Sequence, residues 1–544
     1  MPAEWLPEEH GLRVSEGRPA IPGDGAQSVA ELLDPIVASD PAREALVGRQ
    51  GRYSYAELDR EANRAARALQ TLGVEAGDRG AACLPNDVDI VVAFLAVQRL
   101  GAVWVGVNRV LAAPEKAYLL GDSNARVCLV QEEVRAEIEE HRRDLGSLEQ
   151  VVTVAPKGEA DEWRETVAGQ SDDPLAERPL DPFGPAAIAY TSGTTGFPKG
   201  AVHSQHNILL PGAATHLLGG RRATPRHGVV LPLTILNLMV LGPVKAFYAG
   251  TCCICIDRID PLGLAAWVRE ERVNSFDGVP TIIHDLLTHP EVGEKDLLSL
   301  THPGVGGADM PPALVKLYRE RFQRPVTVGY GMTEAPTAVT WHTSEGTPEP
   351  GLCGAAVPQV ALEIVDEANA ALPSGEIGEI CIRPAEAGPL AGVYTPMLGY
   401  WNKPEATAEA LRGGRYHTGD LGFLDEAGLL HVRGRRNELI LRGGANVYPA
   451  EIERVLAGHP AVAAAAVLGV ADPRLGERVV AAVELEEGAR GDEQSLRDHV
   501  RASLARYKVP DVIRVIDALP RNAMNKVVKP RLRPLFLDEP GDAD

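Results

Sequence analysis

The chain has 544 residues, 45% hydrophobic and 24% charged, so it carries material for more than one buried core and is too apolar for a disordered polypeptide. A formal charge of −21 excludes a broad electrostatic grip on nucleic acid or on an anionic membrane surface. Any anionic ligand has to be met by local donors.

The N-terminal "MPAEWLPEEHGLRVSEG" lacks the basic and apolar regions of a signal peptide, and a cytoplasmic protein is expected. Between Tyr53 and Val130, helical wording alternates with short apolar runs; "SYAELDREANRAARALQTLG" predicts a helix capped by Ser54 and stopped at Gly73. A second α/β stretch runs from about residue 186 to 340. Inside it, the apolar run Val229 to Val244 is interrupted by Pro232, Asn237 and Pro243 and falls short of the about 20 residues that span a bilayer, which predicts a buried wall element. Cys252, Cys253 and Cys255 crowd a β-like run without metal-ligand spacing; with seven cysteines in all, buried reduced thiols are expected. "VALEIVDEANAALPSGEIGEICIR" reads as two strands and a turn. Beyond Gly434 a helix starting at "YPAEIERV", two strands, the helix "DEQSLRDHVRASLARY" and the strand "VIRVID" make an α+β unit, so domains are expected at 1–434 and 435–544. No repeat of fixed period is seen.

The loop "TSGTTGFPKG", residues 191–200, is the densest chemical signal. Its glycines let backbone approach a ligand, and Thr191, Ser192, Thr194, Thr195 and Lys199 supply hydroxyl donors and a cation, which suits phosphate oxygens. It is not the common P-loop, because Lys199 is followed by Gly200 and not by Ser or Thr. Only ten of the 54 basic residues are lysine, so a lysine within a motif suggests a need for a compact, flexible ammonium.

The loop "YTSGTTGFPKGAVHS" resembles the signature loop of the adenylate-forming superfamily, which includes acyl- and aryl-CoA synthetases, nonribosomal peptide adenylation domains and firefly luciferase. Six further stretches match in the family's order: "GVGGADM", "VGYGMTE", "GYWNKPEAT", "YHTGDLG", "GRRNELILRGGANVYPAEIE" and "LPRNAMNKVVKPRLR". The resemblance covers about residues 40 to 535. It implies an α/β fold with a large adenylate-forming N-terminal domain of several subdomains and a smaller, mobile α+β C-terminal domain. It also implies a reaction in two halves, in which a carboxylate attacks the α-phosphate of ATP to give an acyl-adenylate and pyrophosphate, and the thiol of CoA then expels AMP. Because two anions must meet, positioning and charge neutralisation should supply most of the catalysis.

The resemblance assigns the residues. Thr191, Ser192, Gly193, Thr194, Thr195, Gly196 and Lys199 would cradle the terminal phosphates. Tyr330 would face adenine, with Gly329 and Gly331 leaving room, and Gly306, Gly307 and Ala308 would border the adenine and acyl pocket. Thr333 would meet the α-phosphate, and Glu334 would bind Mg²⁺. Asp420 and Arg435 would hold the ribose, Asn437 would be the hinge, and Gly443 and Gly444 would line the pantetheine tunnel. Lys526 would bridge the carboxylate and the α-phosphate, leaving nearby Lys529 on a solvated face.

The family pattern is departed from in three places: Asn525 replaces a glycine, Gln205 a histidine, and Thr234, Ile235 and Leu236 replace an aromatic-His stretch. At the hinge, relatives more often carry Asp or Lys than Asn437. Thr234, Ile235 and Leu236 make the pocket wall aliphatic and, with Asn237 and Gly306 also placed there and no charge to receive a second carboxylate, the expected substrate is an apolar monocarboxylic acid: fatty, alicyclic or aromatic. The rival readings are an adenylation enzyme loading a carrier protein, and a nucleotide-binding pseudoenzyme. Expected partners are the acid and CoA, with no nucleic acid and no integral membrane segment; a homodimer is the candidate assembly.

Overall fold

In the computed structural model the helix expected after Ser54 spans Tyr55–Thr71. Ser54 Oγ accepts the Glu57 N–H at 3.3 Å while the Glu57 carboxylate accepts the Ser54 N–H at 2.8 Å, a capping box that satisfies two donors of the first turn. The helix buries Leu58, Ala62, Ala65, Ala66 and Leu69, and Gly73 turns the chain away with φ +89°. The structure describes residues 10–13, 19–156, 158–159, 161–175, 180–191, 198–217, 225–301, 303–306, 312–344, 349, 351–442, 445–472, 474–522 and 526–537.

The chain divides into two units. The first comprises residues 1–363 and 381–417, the second 364–380 and 418–544. In chain order the first unit begins with strands β1 (Glu44–Val47), β2 (Arg52–Ser54), β3 (Arg79–Cys83), β4 (Val103–Gly106), β5 (Ala125–Val130), β6 (Gln150–Thr153), β7 (Pro185–Thr191) and β8 (Lys199–Ser204). It continues with β9 (Arg226–Val229), β10 (Cys252–Cys255), β11 (Ser275–Gly278), β12 (Gly304–Val305), β13 (Val326–Met332), β14 (Thr337–Ser344) and β15 (Leu352–Ala356). The chain passes between the units within β16 (Val360–Val365) and β17 (Gly378–Pro384), and β18 (Gly399–Tyr400) belongs to the first.

Two sheets of the first unit are mostly parallel. One runs β12-β11-β9-β10-β1-β2; the other runs β18-β8-β7-β4-β3-β5-β6, in which β7 is parallel to β4 and β8 is antiparallel to both β7 and β18. Parallel strands are covered on both faces, which is why "ARVCLV" in β5 reads almost continuously apolar. Between the layers Phe94 meets Trp104 edge-on at 5.5 Å. The run 229–244 is a buried wall, as expected: helical turns at Leu236–Met239 and Lys245–Tyr248 flank one wide turn, Val240–Val244, that accommodates Pro243. Among the described residues no helix is long and apolar enough to cross a membrane. Cys252, Cys253 and Cys255 make β10, all buried, and burial pushes the Cys252 thiol up so that it packs as a neutral group.

In the second unit β19 (Tyr416–Leu424), of which residues from Thr418 onward belong here, pairs antiparallel with β20 (Leu430–Arg435). Packing therefore groups 418–434 with the chain beyond Arg435. The following strands are β21 (Ile440–Arg442), β22 (Ala445–Val447), β23 (Val462–Asp472), β24 (Gly476–Leu485) and β25 (Val512–Ile516), in the order β22-β21-β24-β23 with β25 parallel to β24. Helices Pro449–Ala457 and Glu493–Ser503 bury Ile452, Leu456, Leu496 and Val500 against this sheet. These are the elements read from the sequence beyond Gly434.

Candidate active site

The signature loop is held at both feet by β7 and β8. Thr191, the last residue of β7, pairs with Lys199, the first of β8. Ser192, Gly193, Thr194, Thr195 and Gly196 lie outside the described residues.

Glu334 comes to the feet of this loop. Its Oε1 accepts the Tyr400 hydroxyl at 3.0 Å and a longer contact from Thr191 Oγ1 at 3.5 Å. Its backbone carbonyl accepts the Met397 N–H at 3.0 Å. Lys199 Nζ stands 5.1 Å from the centre of the Tyr400 ring. Thr333 sits beside Glu334 in the turn after β13, half-buried. One carboxylate, held at one oxygen by neutral hydroxyls, fits a hard cation such as Mg²⁺, which takes one or two carboxylates and completes its shell with phosphate and water. Among the described residues no group of three or more His, Cys, Asp or Glu gathers to form an all-protein cage.

Beyond Lys199, β8 and the helix after it supply a buried polar floor. His203 on β8 is fully buried, and burial pushes its imidazole down to about 4, with the Thr333 backbone pulling the other way. Asn207 ties this layer together: its side-chain oxygen accepts Ser204 Oγ at 3.0 Å and the Thr395 hydroxyl, and its amide donates to Pro396 O at 2.7 Å. The departure at Gln205 is structural, since its buried side chain accepts the Ala30 N–H at 3.1 Å and donates to Gln98 O at 3.2 Å.

Tyr330 is half-buried on β13, where the pairing with β14 shifts between Tyr330 and Gly331 and re-aims the strand. The room at Gly329 is taken up by protein: a Cβ there would stand 2.7 Å from the ring of Trp341, directly across the strand pair. Gly331 is exposed. Gly306 follows β12, gives its N–H to Gly278 O at 3.0 Å, and has open space where a side chain would be. Gly307 and Ala308 lie outside the described residues.

The wall segment sits closely on β4, because a Cβ on Gly106 would fall 1.9 Å from the Thr234 carbonyl oxygen. Asn86 clamps it, donating to Leu231 O and accepting the Leu233 N–H, each at 2.8 Å. Ile235 is half-buried. Thr234 Oγ1 and Asn237 Oδ1 are buried oxygens without a hydrogen-bond partner among the described residues, a polar capacity that the aliphatic lettering of "LPLTILN" concealed.

In the second unit Asp420 and Arg435 face each other across β19 and β20, with Arg435 Nε 3.1 Å from Asp420 Oδ1. Gly419 precedes Asp420 with φ +72° and gives its N–H to the buried Glu379 carboxylate at 3.2 Å. Asn437 lies in the short helical turn Arg436–Glu438, and Gly443 and Gly444 lie outside the described residues.

Lys526 is exposed beside the Arg521–Val527 bridge, with the Asn522 N–H on Lys526 O at 2.8 Å and the Lys526 N–H on Asn522 Oδ1 at 3.0 Å. Asn525 lies outside the described residues. Lys529 corrects the expectation of a solvated lysine. Its ammonium is largely buried between Glu438 at 2.6 Å and Glu453 at 2.8 Å. Burial opposes its charge, but the two carboxylates outweigh that and raise its pKa. The partners lie far off in sequence, so nothing in "NKVVKPR" announced them.

Residues 33–401 match the family described as AMP-binding enzyme, and residues 451–526 match the AMP-binding enzyme C-terminal domain. The chain belongs to this family of adenylate-forming enzymes, and Lys526 is the last residue of the second match. It is 33% identical over 489 residues to the long-chain-fatty-acid–CoA ligase FadD13 of Mycobacterium tuberculosis, covering 89% of this chain and 93% of the relative. It is 34% identical over 486 residues to a feruloyl-CoA synthase of Amycolatopsis sp, covering 89% and 94%. Among solved structures, ATP-bound MatB from Rhodopseudomonas palustris superposes with a TM-score of 0.82 at 31% identity, covering 94% of this chain and 99% of that one.

Proposed function

We propose a division of labour for this chain as an AMP-forming acid–thiol ligase that uses ATP, a carboxylic acid and CoA. The observation that carries it is the meeting of Glu334, Thr191 and Tyr400 at the feet of the signature loop, with Lys199 over the Tyr400 ring. The loop's donors and Lys199 bind the β- and γ-phosphates, Thr333 steadies the α-phosphate, and Tyr330 with Gly306, Gly307 and Ala308 receives adenine. Glu334 supplies the protein ligand for Mg²⁺, whose charge offsets that of the triphosphate. Asp420 and Arg435 address the ribose. The ammonium of Lys526, on its four-carbon stem, screens the attacking carboxylate from the phosphate it approaches.

Residues 1–434 and 435–544 act as the two working bodies, with the joint at Asn437. For the thiol half-reaction, the segment around Gly443 and Gly444 borders the path of the pantetheine arm. The acid is an apolar monocarboxylate, a reading supported by the buried wall and by the fatty and feruloyl relatives.

Release of pyrophosphate from ATP is measured over a panel of fatty, alicyclic and aromatic acids, with and without CoA. Acid-dependent release together with an acyl-CoA product is expected. Release without any acyl-CoA would assign the acyl group to a carrier protein, and no release with any acid would leave a nucleotide-binding pseudoenzyme.

A further inference from the structure

Tyr400 opens the stretch "YWNKPEAT", to which the site reading gave no chemical role. Its backbone is fixed from two sides. Tyr400 pairs with Ala201 of β8, and its N–H donates to Thr407 Oγ1 at 2.9 Å. Thr407 can lie so close because Gly399 has no side chain, and a Cβ there would stand 2.6 Å from Thr407 Cγ2. The side chain is buried as well, so the ring is set by the fold before any ligand arrives.

Two charged groups take their places from this ring. The hydroxyl donates to Glu334 Oε1 at 3.0 Å, and the face of the ring carries the Lys199 ammonium 5.1 Å from its centre. A carboxylate anchored through one oxygen has its other oxygen aimed, and an ammonium over an aromatic face is attracted by the ring quadrupole.

We propose that Tyr400 is a positioning residue for adenylation: its hydroxyl aims the Glu334 carboxylate at the divalent cation that accompanies ATP, and its ring holds the Lys199 ammonium at the foot of the phosphate loop. This rests on Glu334 being the cation ligand. The two roles separate by atom, since Tyr400→Phe removes only the hydroxyl and Tyr400→Leu removes the ring as well.

The test is calorimetric titration of ATP into the full chain, with MgCl₂ varied and with EDTA, alongside thermal melts without nucleotide. Tyr400→Phe is expected to raise the Mg²⁺ concentration for half-maximal ATP binding about tenfold. It should leave ATP affinity in EDTA unchanged and the melt within about 2 °C. Tyr400→Leu should also weaken ATP in EDTA by about threefold. Equal affinities of the two variants in EDTA would overturn the role of the ring. Glu334→Gln is measured in parallel. If it leaves the Mg²⁺ requirement untouched, the cation reading of Glu334 falls and the hydroxyl's role with it; if it shifts that requirement and Tyr400→Phe does not, the positioning role of the hydroxyl alone falls.

Discussion

The two units arrange charge in opposite ways. In the first, Thr191, Lys199, Glu334 and Tyr400 come from separate motifs and are fastened to one another over a buried floor of His203, Ser204 and Asn207. In the second, two lysines three positions apart part company: Lys526 is exposed, while Lys529 is locked between Glu438 and Glu453. The difference teaches where preorganisation resides. The proposed phosphate site gains from groups that need no rearrangement, whereas the lysine proposed to serve one half-reaction and then give way would gain from a light tether beside a firm anchor. Lys529 is that anchor, tying the tail to the turn that contains Asn437 and to the helix Pro449–Ala457.

The largest effect expected from breaking this contrast lies at the exposed lysine. Lys526→Ala should slow acid-dependent pyrophosphate release on the order of 10²–10³-fold, as when one preorganised group that stabilises transition-state charge is lost. ATP affinity measured by calorimetry should stay the same. An unchanged rate would remove Lys526 from the chemistry.

At the anchor the sign reverses: stability suffers before chemistry. Lys529→Met leaves two carboxylates facing each other without their cation and should cost about 3 kcal/mol in chemical denaturation. Lys526→Met, at an exposed position, should stay within about 0.5 kcal/mol. Replacing Glu438, Glu453 and Lys529 together by Gln, Gln and Met should recover most of the loss. Equal destabilisation by the two single variants would erase the distinction between tether and anchor.

The floor under the first unit's site is probed by pH. His203 falls from the ordinary value of 6.5 to about 4 because burial disfavours the imidazolium. Between these values the unfolded chain binds a proton that the folded chain does not, so stability declines as pH falls through the window and levels off below it, by about 3 kcal/mol in all. Asp87, raised to about 6 by burial, acts with the opposite sign, gaining stability as pH falls from there towards 3.8. The difference between wild type and His203→Leu, followed by denaturation from pH 7 to pH 4, isolates the histidine. A difference that is flat with pH would mean that water reaches the floor.

Much of the architecture was legible because local rules and tertiary packing agree. The Ser54 capping box, the apolar strands of the parallel sheets and the Asp492-capped helix Glu493–Ser503 each carry their signal within a few residues. Thr191, Lys199 and Glu334 were found as members of motifs, and the fold brings them together. Tyr400 drew no role from the sequence because its partner Glu334 lies 66 positions away, and Lys529 was misread because Glu438 lies 91 positions away. The role of Gly329 was seen only in part: the letters suggested space for a ligand, and the strand register filled that space with Trp341.

By itself the sequence determined the elements, their order and the kinds of donor available for a triphosphate, since caps, periodicities and motif chemistry are set by neighbours along the chain. Only the tertiary structure decided which lysine is buried, which hydroxyl holds Glu334 and which oxygens of the wall go without partners. Those depend on charges and surfaces that meet across long stretches of chain, where burial sets both the cost of a charge and the value of its partner.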